Sequence, residues 1–323
     1  SDVSRGRAGM SAATVALAGF GEDPRASWTR EWAERLAAEA GNWQDLAGAY
    51  EGALTNKQLA GAEALPVLST LARVYERELV DPETAIARNK AILELAPADE
   101  TAVLALERLY VATERYAELL AIYDKKLSLA KSAADRREVR FKLAGLYEAE
   151  IKDPKKAIEV YQSILDEAPE EVPALQALDR LYGATGDYKR LAAIIDKELA
   201  LLAGDTAASA DLKARLGRVR EEQLGDAAGA VTAYREALAL DPTHENARGS
   251  LEAYLGNADH QMAAVSALEP IYEQTNDLGR LVQVQRIKLQ REKGSEERVA
   301  LLLRIGALES ALGRSDAAYA AYA

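Results

Sequence analysis

The chain contains no cysteine. Disulfides and thiolate metal sites are therefore excluded, and the redox compartment stays open. Histidine occurs only twice, at His244 and His260, 16 residues apart and without ligand spacing. Both read as surface residues, not metal ligands or general bases. No segment approaches the ~20 apolar residues of a membrane span, so direct membrane insertion is not expected. There is no G-x-S-x-G, no P-loop and no Gly-rich loop that could cradle phosphate. No enzyme activity, cofactor or metal is expected. Long runs of one charge are also missing. The net charge is −12, with acidic and basic residues interspersed. That balance reads as solubility and argues against nucleic acid as a partner. Carboxylate pairs such as Asp99-Glu100, Glu170-Glu171 and Glu221-Glu222 fall at helix starts or on exposed faces. Helix-dipole complementarity and solvation explain them without catalysis.

What the chain does contain is a repeat. Asp81 to Tyr110 returns at Asp153 to Tyr182 and again at Asp226 to Leu255, the copies starting 72 and 73 residues apart. Self-similarity at a fixed period decides the fold class, because each unit must bury its apolar face on its neighbours. Periodicity is helical throughout: Ile158, Tyr161, Ile164 and Leu165 share one helical face. Asp81-Pro82 and Asp153-Pro154 read as an N-cap followed by Pro in the first turn. Ala96-Pro97, Ala168-Pro169 and Asp241-Pro242 close the same helices, since Pro cannot continue one. A second hairpin fills the rest of each period, marked by Trp43, Tyr116 and Tyr188. Half the period is about 36 residues, close to a 34-residue helix–turn–helix unit.

In these residues the chain resembles the tetratricopeptide-repeat family. First helices carry Leu71-Ala72 with Tyr75, Leu143-Ala144 with Tyr147, and Leu216-Gly217. Second helices carry Ala157 with Tyr161 and Ala230 with Tyr234, closed by Pro169 and Pro242. Ala85 and Pro97 fit the pattern, but Asn89 stands where an aromatic is usual. Leu46, Leu119 and Leu191 replace the small Ala in the alternate hairpins. Sel1-like repeats are the closest competing class. The resemblance implies an all-α, right-handed α-solenoid of about eight antiparallel hairpins. It also implies protein binding, with no fixed partner.

The expected organisation is a flexible or poorly packed segment over 1–26, then a solenoid over 27–323. An irregular extra helix is expected near 258–274, because the step from Ala230 to Ala318 is 88 residues instead of 72. The last hairpin, with Ala318 and Tyr322, reads as truncated, as in a piece of a longer repeat protein. Trp28 and Trp32, four apart, read as packing of the first hairpin against its neighbour.

The candidate partner-binding residues are Arg73, Arg108, Arg180 and Arg218. Each lies two residues after a first-helix Leu: Leu71, Leu106, Leu178 and Leu216. The family resemblance implies that this place faces the concave groove, where the planar guanidinium suits carboxylates. The competing reading pairs Arg73 with Glu76 and Arg218 with Glu221, three residues on, and Arg108 and Arg180 with neighbouring repeats. The expected function is a noncatalytic bacterial scaffold that holds a protein or peptide, with acidic segments favoured, inside a larger assembly. Two alternatives remain: a structural spacer in a multiprotein machine, or the helical accessory domain of an enzyme. The cytoplasm is favoured over the periplasm.

Overall fold

The computed structural model describes residues 2–202 and 204–323, the side chains of residues 2–11 excepted. Among the described residues there are eighteen α-helices and no strand. The chain divides into two compact units, 1–160 and 161–323. The fold is all-α, of the α-solenoid class.

The first unit holds α1 (Asp2–Glu22), α2 (Ser27–Ala40), α3 (Trp43–Thr55), α4 (Leu65–Arg77), α5 (Pro82–Leu95), α6 (Glu100–Ala112), α7 (Tyr116–Leu129) and α8 (Ala133–Ala149). Helix α9 (Pro154–Glu167) starts in this unit and ends in the next. One core gathers Phe20, Tyr50, Val67, Leu71 and Ile92. A second gathers Ile86, Leu106, Leu119, Tyr123 and Leu143. The second unit holds α10 (Val172–Thr185), α11 (Tyr188–Leu201), α12 (Thr206–Arg218), α13 (Ala227–Leu240), α14 (Glu245–Tyr254), α15 (Gln261–Gln274), α16 (Leu278–Arg291), α17 (Ser295–Ala311) and α18 (Ser315–Tyr322). Its core includes Tyr234, Leu238, Leu251, Leu268, Tyr272 and Val284.

Helix starts follow the sequence chemistry. The Asp81 side chain accepts from the Thr84 amide, and Asp99, Asp187, Asp205, Asp226 and Asp277 cap their helices in the same way. Each cap satisfies one amide that the first turn leaves without an intrahelical partner. The turns inside the hairpins are also built alike. Val80, Lys152, Gly225 and Gly313 each take a left-handed conformation, with φ of 53°, 59°, 64° and 73°.

Two expectations are revised. The segment 1–26 is not poorly packed where its side chains are described: Ala13, Ala16 and Phe20 are buried, and Phe20 meets Tyr50 at 4.5 Å between ring centroids. Side chains 1–11 lie outside the described residues. A helix stands where the extra one was expected, α15 (Gln261–Gln274), with Pro270 inside it. Ala264, Val265, Ala267, Leu268, Ile271 and Tyr272 of α15 repeat Ala174, Leu175, Ala177, Leu178, Leu181 and Tyr182 of α10, and every one is buried. The 10-residue α14 before it buries Ala247, Leu251 and Tyr254 in register with Ala174, Leu178 and Leu181 in the same way. Trp28 and Trp32 do not share a buried face. Trp28 is 63% exposed, while the Trp32 ring lies over Gly19. Taking each first helix with its successor gives eight hairpins, α1 and α14 standing outside the pairing.

Candidate functional site

Among the first helices of the hairpins in the first unit are α2, α4 and α6. A cavity of about 480 Å³ opens among them, reaching down to α5. It brings together two of the four candidate arginines, Arg73 of α4 and Arg108 of α6. Arg77 joins them, and Glu34, Glu76 and Asp99 supply the opposite charge. Three cations thus face three carboxylates, so this groove is locally balanced inside an acidic chain.

Both arginines are partnered across helices: Arg108 with a neighbouring repeat, as the competing reading expected, but Arg73 not with Glu76. Arg108 binds Glu76 through two parallel bonds, Nε to Oε1 at 2.7 Å and Nη2 to Oε2 at 2.8 Å. This is a link between successive first helices, and it takes the carboxylate that Arg73 was expected to hold. Arg73 instead reaches Glu34 of α2 at 3.9 Å and lies 5.8 Å from the Trp43 ring centroid. The short i, i+3 distance along a helix loses to the fork geometry available across helices. The Arg108 guanidinium is held charged by the Glu76 hydrogen bond. Its side chain is still 55% exposed, so an incoming group can reach it. Arg180 and Arg218 are exposed on α10 and α12 of the second unit. Glu221 accepts from the Tyr234 hydroxyl at 2.7 Å, which is not the Arg218 pairing the sequence suggested.

The floor of the cavity is Asn89, 3% exposed. Its Nδ2 donates to the Ala85 carbonyl at 2.9 Å. The departure from the usual aromatic was visible in the sequence; the space it leaves was not.

A charge triad recurs beside this face. Glu107 of α6 accepts from Lys126 of α7 at 2.5 Å and from Lys142 of α8 at 3.2 Å. Burial alone would raise the Glu107 carboxyl, but the two lysines outweigh it and hold it below its ordinary value. In the second unit Glu269 of α15 accepts from Lys288 of α16 at 2.8 Å and meets Arg304 of α17 at 3.3 Å. The middle copy breaks the rule: Asp179 pairs with Arg215, but Glu198 stands in the place of the lysine. Burial first, and then the Asp179 charge, push the Glu198 carboxyl up to about 7, against the opposing pull of Arg215. Sequence reading missed this triad, although the 72-residue offset between Lys126 and Glu198 signals it.

The histidines are corrected from surface residues to packing ones. His244 caps α14 through Nδ1, which accepts from the Ala247 amide at 3.1 Å. His260 sits edge-on to Tyr254 at 5.9 Å. Among the described residues no group of three or more His, Asp or Glu could hold a metal ion. No helix among them is long and apolar enough to cross a membrane.

The tetratricopeptide-repeat profiles match residues 102–137 and 138–170. These spans cover α6 with α7, and α8 with α9, the same pairing that the buried residues define. Residues 102–170 are tetratricopeptide repeats. These repeats support a protein–protein interaction scaffold in general. No curated protein matches the chain. Among solved structures it is similar to YrrB, described as a TPR protein with an unusual peptide-binding site, at 18% identity and a TM-score of 0.32, covering 64% of this chain and 99% of that one. It is also similar to Naa15/Naa10 bound to HypK-THB, at 14% identity and a TM-score of 0.48, covering 95% of this chain and 54% of that one. A tetratricopeptide repeat protein from Parabacteroides merdae is similar at 18% identity and a TM-score of 0.33, covering 76% and 91%.

Proposed function

We propose that the chain is a noncatalytic scaffold that holds an extended protein segment on the α2, α4 and α6 face of its first unit. The observation that carries this is the 480 Å³ cavity, in which Arg73 and Arg108 converge with polar and apolar walls. That size lies in the range of small binding sites, ~300–1,000 Å³. Acidic groups of the partner would compete with Glu34 and Glu76 for the two guanidinium groups. Arg180 and Arg218 hold the same register on α10 and α12 and are proposed as further contacts in the second unit. The host is taken to be a larger bacterial assembly, on the Ala-rich composition alone.

An array of extended peptides graded in acidic content tests the reading. The unmodified chain should select a subset, and the Arg73→Glu, Arg108→Glu double variant should bind that subset at least ~10-fold more weakly, as loss of close charge pairs does. Binding should also weaken with added salt, since the arginines are solvent-accessible. An unchanged selection in the double variant, with the fold intact by circular dichroism, would leave this face a structural role only.

A further inference from the structure

The groove of the first unit contains the imprint of a missing side chain. Ala72, Glu76 and Asn89 precede Gly217, Glu221 and Tyr234 by 145 residues each, so the two trios are counterparts in the repeat. In the second unit the trio is closed. The Tyr234 ring lies against Gly217, is 2% exposed, and donates its hydroxyl to Glu221 Oε2 at 2.7 Å. In the first unit the small residue and the carboxylate are in place, but the ring is replaced by Asn89. All three residues line the 480 Å³ cavity. Ile92, Ala102 and Ala105 add apolar wall. Asn89 is 3% exposed, and its Nδ2 is tied back to the Ala85 carbonyl at 2.9 Å.

We propose that this slot takes a tyrosine side chain from the bound partner segment, seated on Ala72 with its hydroxyl on Glu76. The proposal rests on the scaffold reading of the same face and names the anchor residue. A phenol suits the slot on both counts, since its ring matches the apolar walls and its hydroxyl supplies a donor to a carboxylate. Glu76 Oε2 keeps a lone pair for it, because it accepts one bond from Arg108, while Oε1 lies within 2.7 Å of both Nε and Nη2. Ala72 carries a β-carbon where α12 has Gly217, so the incoming ring sits further from α4 than Tyr234 does from α12. Arg108, which fixes the Glu76 carboxylate, then acts as the positioning residue for the hydroxyl.

The probe is p-cresol, the tyrosine side chain without its backbone, with toluene as the analogue lacking the hydroxyl. NMR titration of the full chain should show saturable p-cresol binding, with ring protons giving intermolecular contacts to the Ala72 methyl. Toluene should bind at least ~10-fold more weakly, because the polar group of the site is then unpaired. The Asn89→Tyr variant should fill the slot from within and abolish p-cresol binding. Should that variant not fold, the contacts to Ala72 in the unmodified chain decide the matter. No p-cresol binding, ring contacts elsewhere, or equal binding of toluene would each overturn the proposal. The outcome is independent of the peptide array: arginine-dependent peptide binding without a p-cresol site would retain the groove and remove its tyrosine anchor.

Discussion

A β-carbon built on Gly217 would stand 2.6 Å from Cε1 of Tyr234. This contact joins α12 to α13 and explains why the smallest residue stands there. Gly217→Ala should destabilise the chain by ~1–3 kcal/mol through overpacking. The sign is diagnostic, because Gly to Ala in an open helical site normally gains up to ~1 kcal/mol. Gly249 of α14 is the matched control, since a β-carbon there would meet nothing within 4 Å, and Gly249→Ala should show that gain. Chemical denaturation of both variants checks the pair.

Val80 should respond in the opposite direction. It is a β-branched residue at φ 53°, 75% exposed, in the turn position that Gly225 and Gly313 fill elsewhere. The left-handed region costs a non-glycine residue ~1–2 kcal/mol. Val80→Gly should recover most of this, less the entropy that glycine adds to the unfolded chain. A melting temperature at or below that of the unmodified protein would contradict the strain.

Glu198 makes stability fall with rising pH. Its carboxyl titrates near 7 in the folded chain, above its ordinary value of 4.5. A raised carboxyl favours the protonated form on folding, so its contribution is full below the unfolded value and is lost as pH rises through about 7. Glu198→Lys restores the triad seen at Lys126 and Lys288. It should raise the melting temperature at pH 8 and flatten the decline between pH 5 and pH 8, a window of roughly three units around the shifted value. Parallel melts of both proteins across that window give the answer.

Glu107 behaves in the reverse sense. Its folded value is depressed, so the stability it contributes is present above the ordinary carboxylate range and is lost as pH falls through the folded value. Glu107→Ala leaves Lys126 and Lys142 facing each other without an anion. It should cost ~1.5–3 kcal/mol at neutral pH, the scale of hydrogen bonds to charged groups. The deficit should shrink in acid, where the unmodified chain loses the same contribution.

The helices, their Asp caps and their Pro stops were legible in the sequence, because each depends on a few neighbouring residues. The 72-residue period revealed the hairpin pairing for the same reason: apolar residues at helical spacing can be buried only one way round. The family resemblance followed from Ala-x-x-x-Tyr and Leu-Gly patterns that are local in the chain. Insertion of one helix after α13 was also visible, as a step of 88 residues. Which helix is the insertion was not, since α14 and α15 both bury apolar residues in register with α10.

The partners of the charged residues were decided by tertiary structure alone. Arg73 and Arg108 could be placed on a face, but their bonds to Glu34 and Glu76 span 39 and 32 residues. The elevated Glu198 carboxyl likewise needs α10 and α12 on either side of α11. Asn89 shows the division most clearly. The sequence by itself determined that an amide stands in an aromatic's position; only the packed helices decided that the vacated volume stays open beside Glu76. Local patterns follow from the short reach of backbone hydrogen bonds and helical periodicity. Ion pairs and cavities depend on where residues some thirty to forty positions apart come to rest.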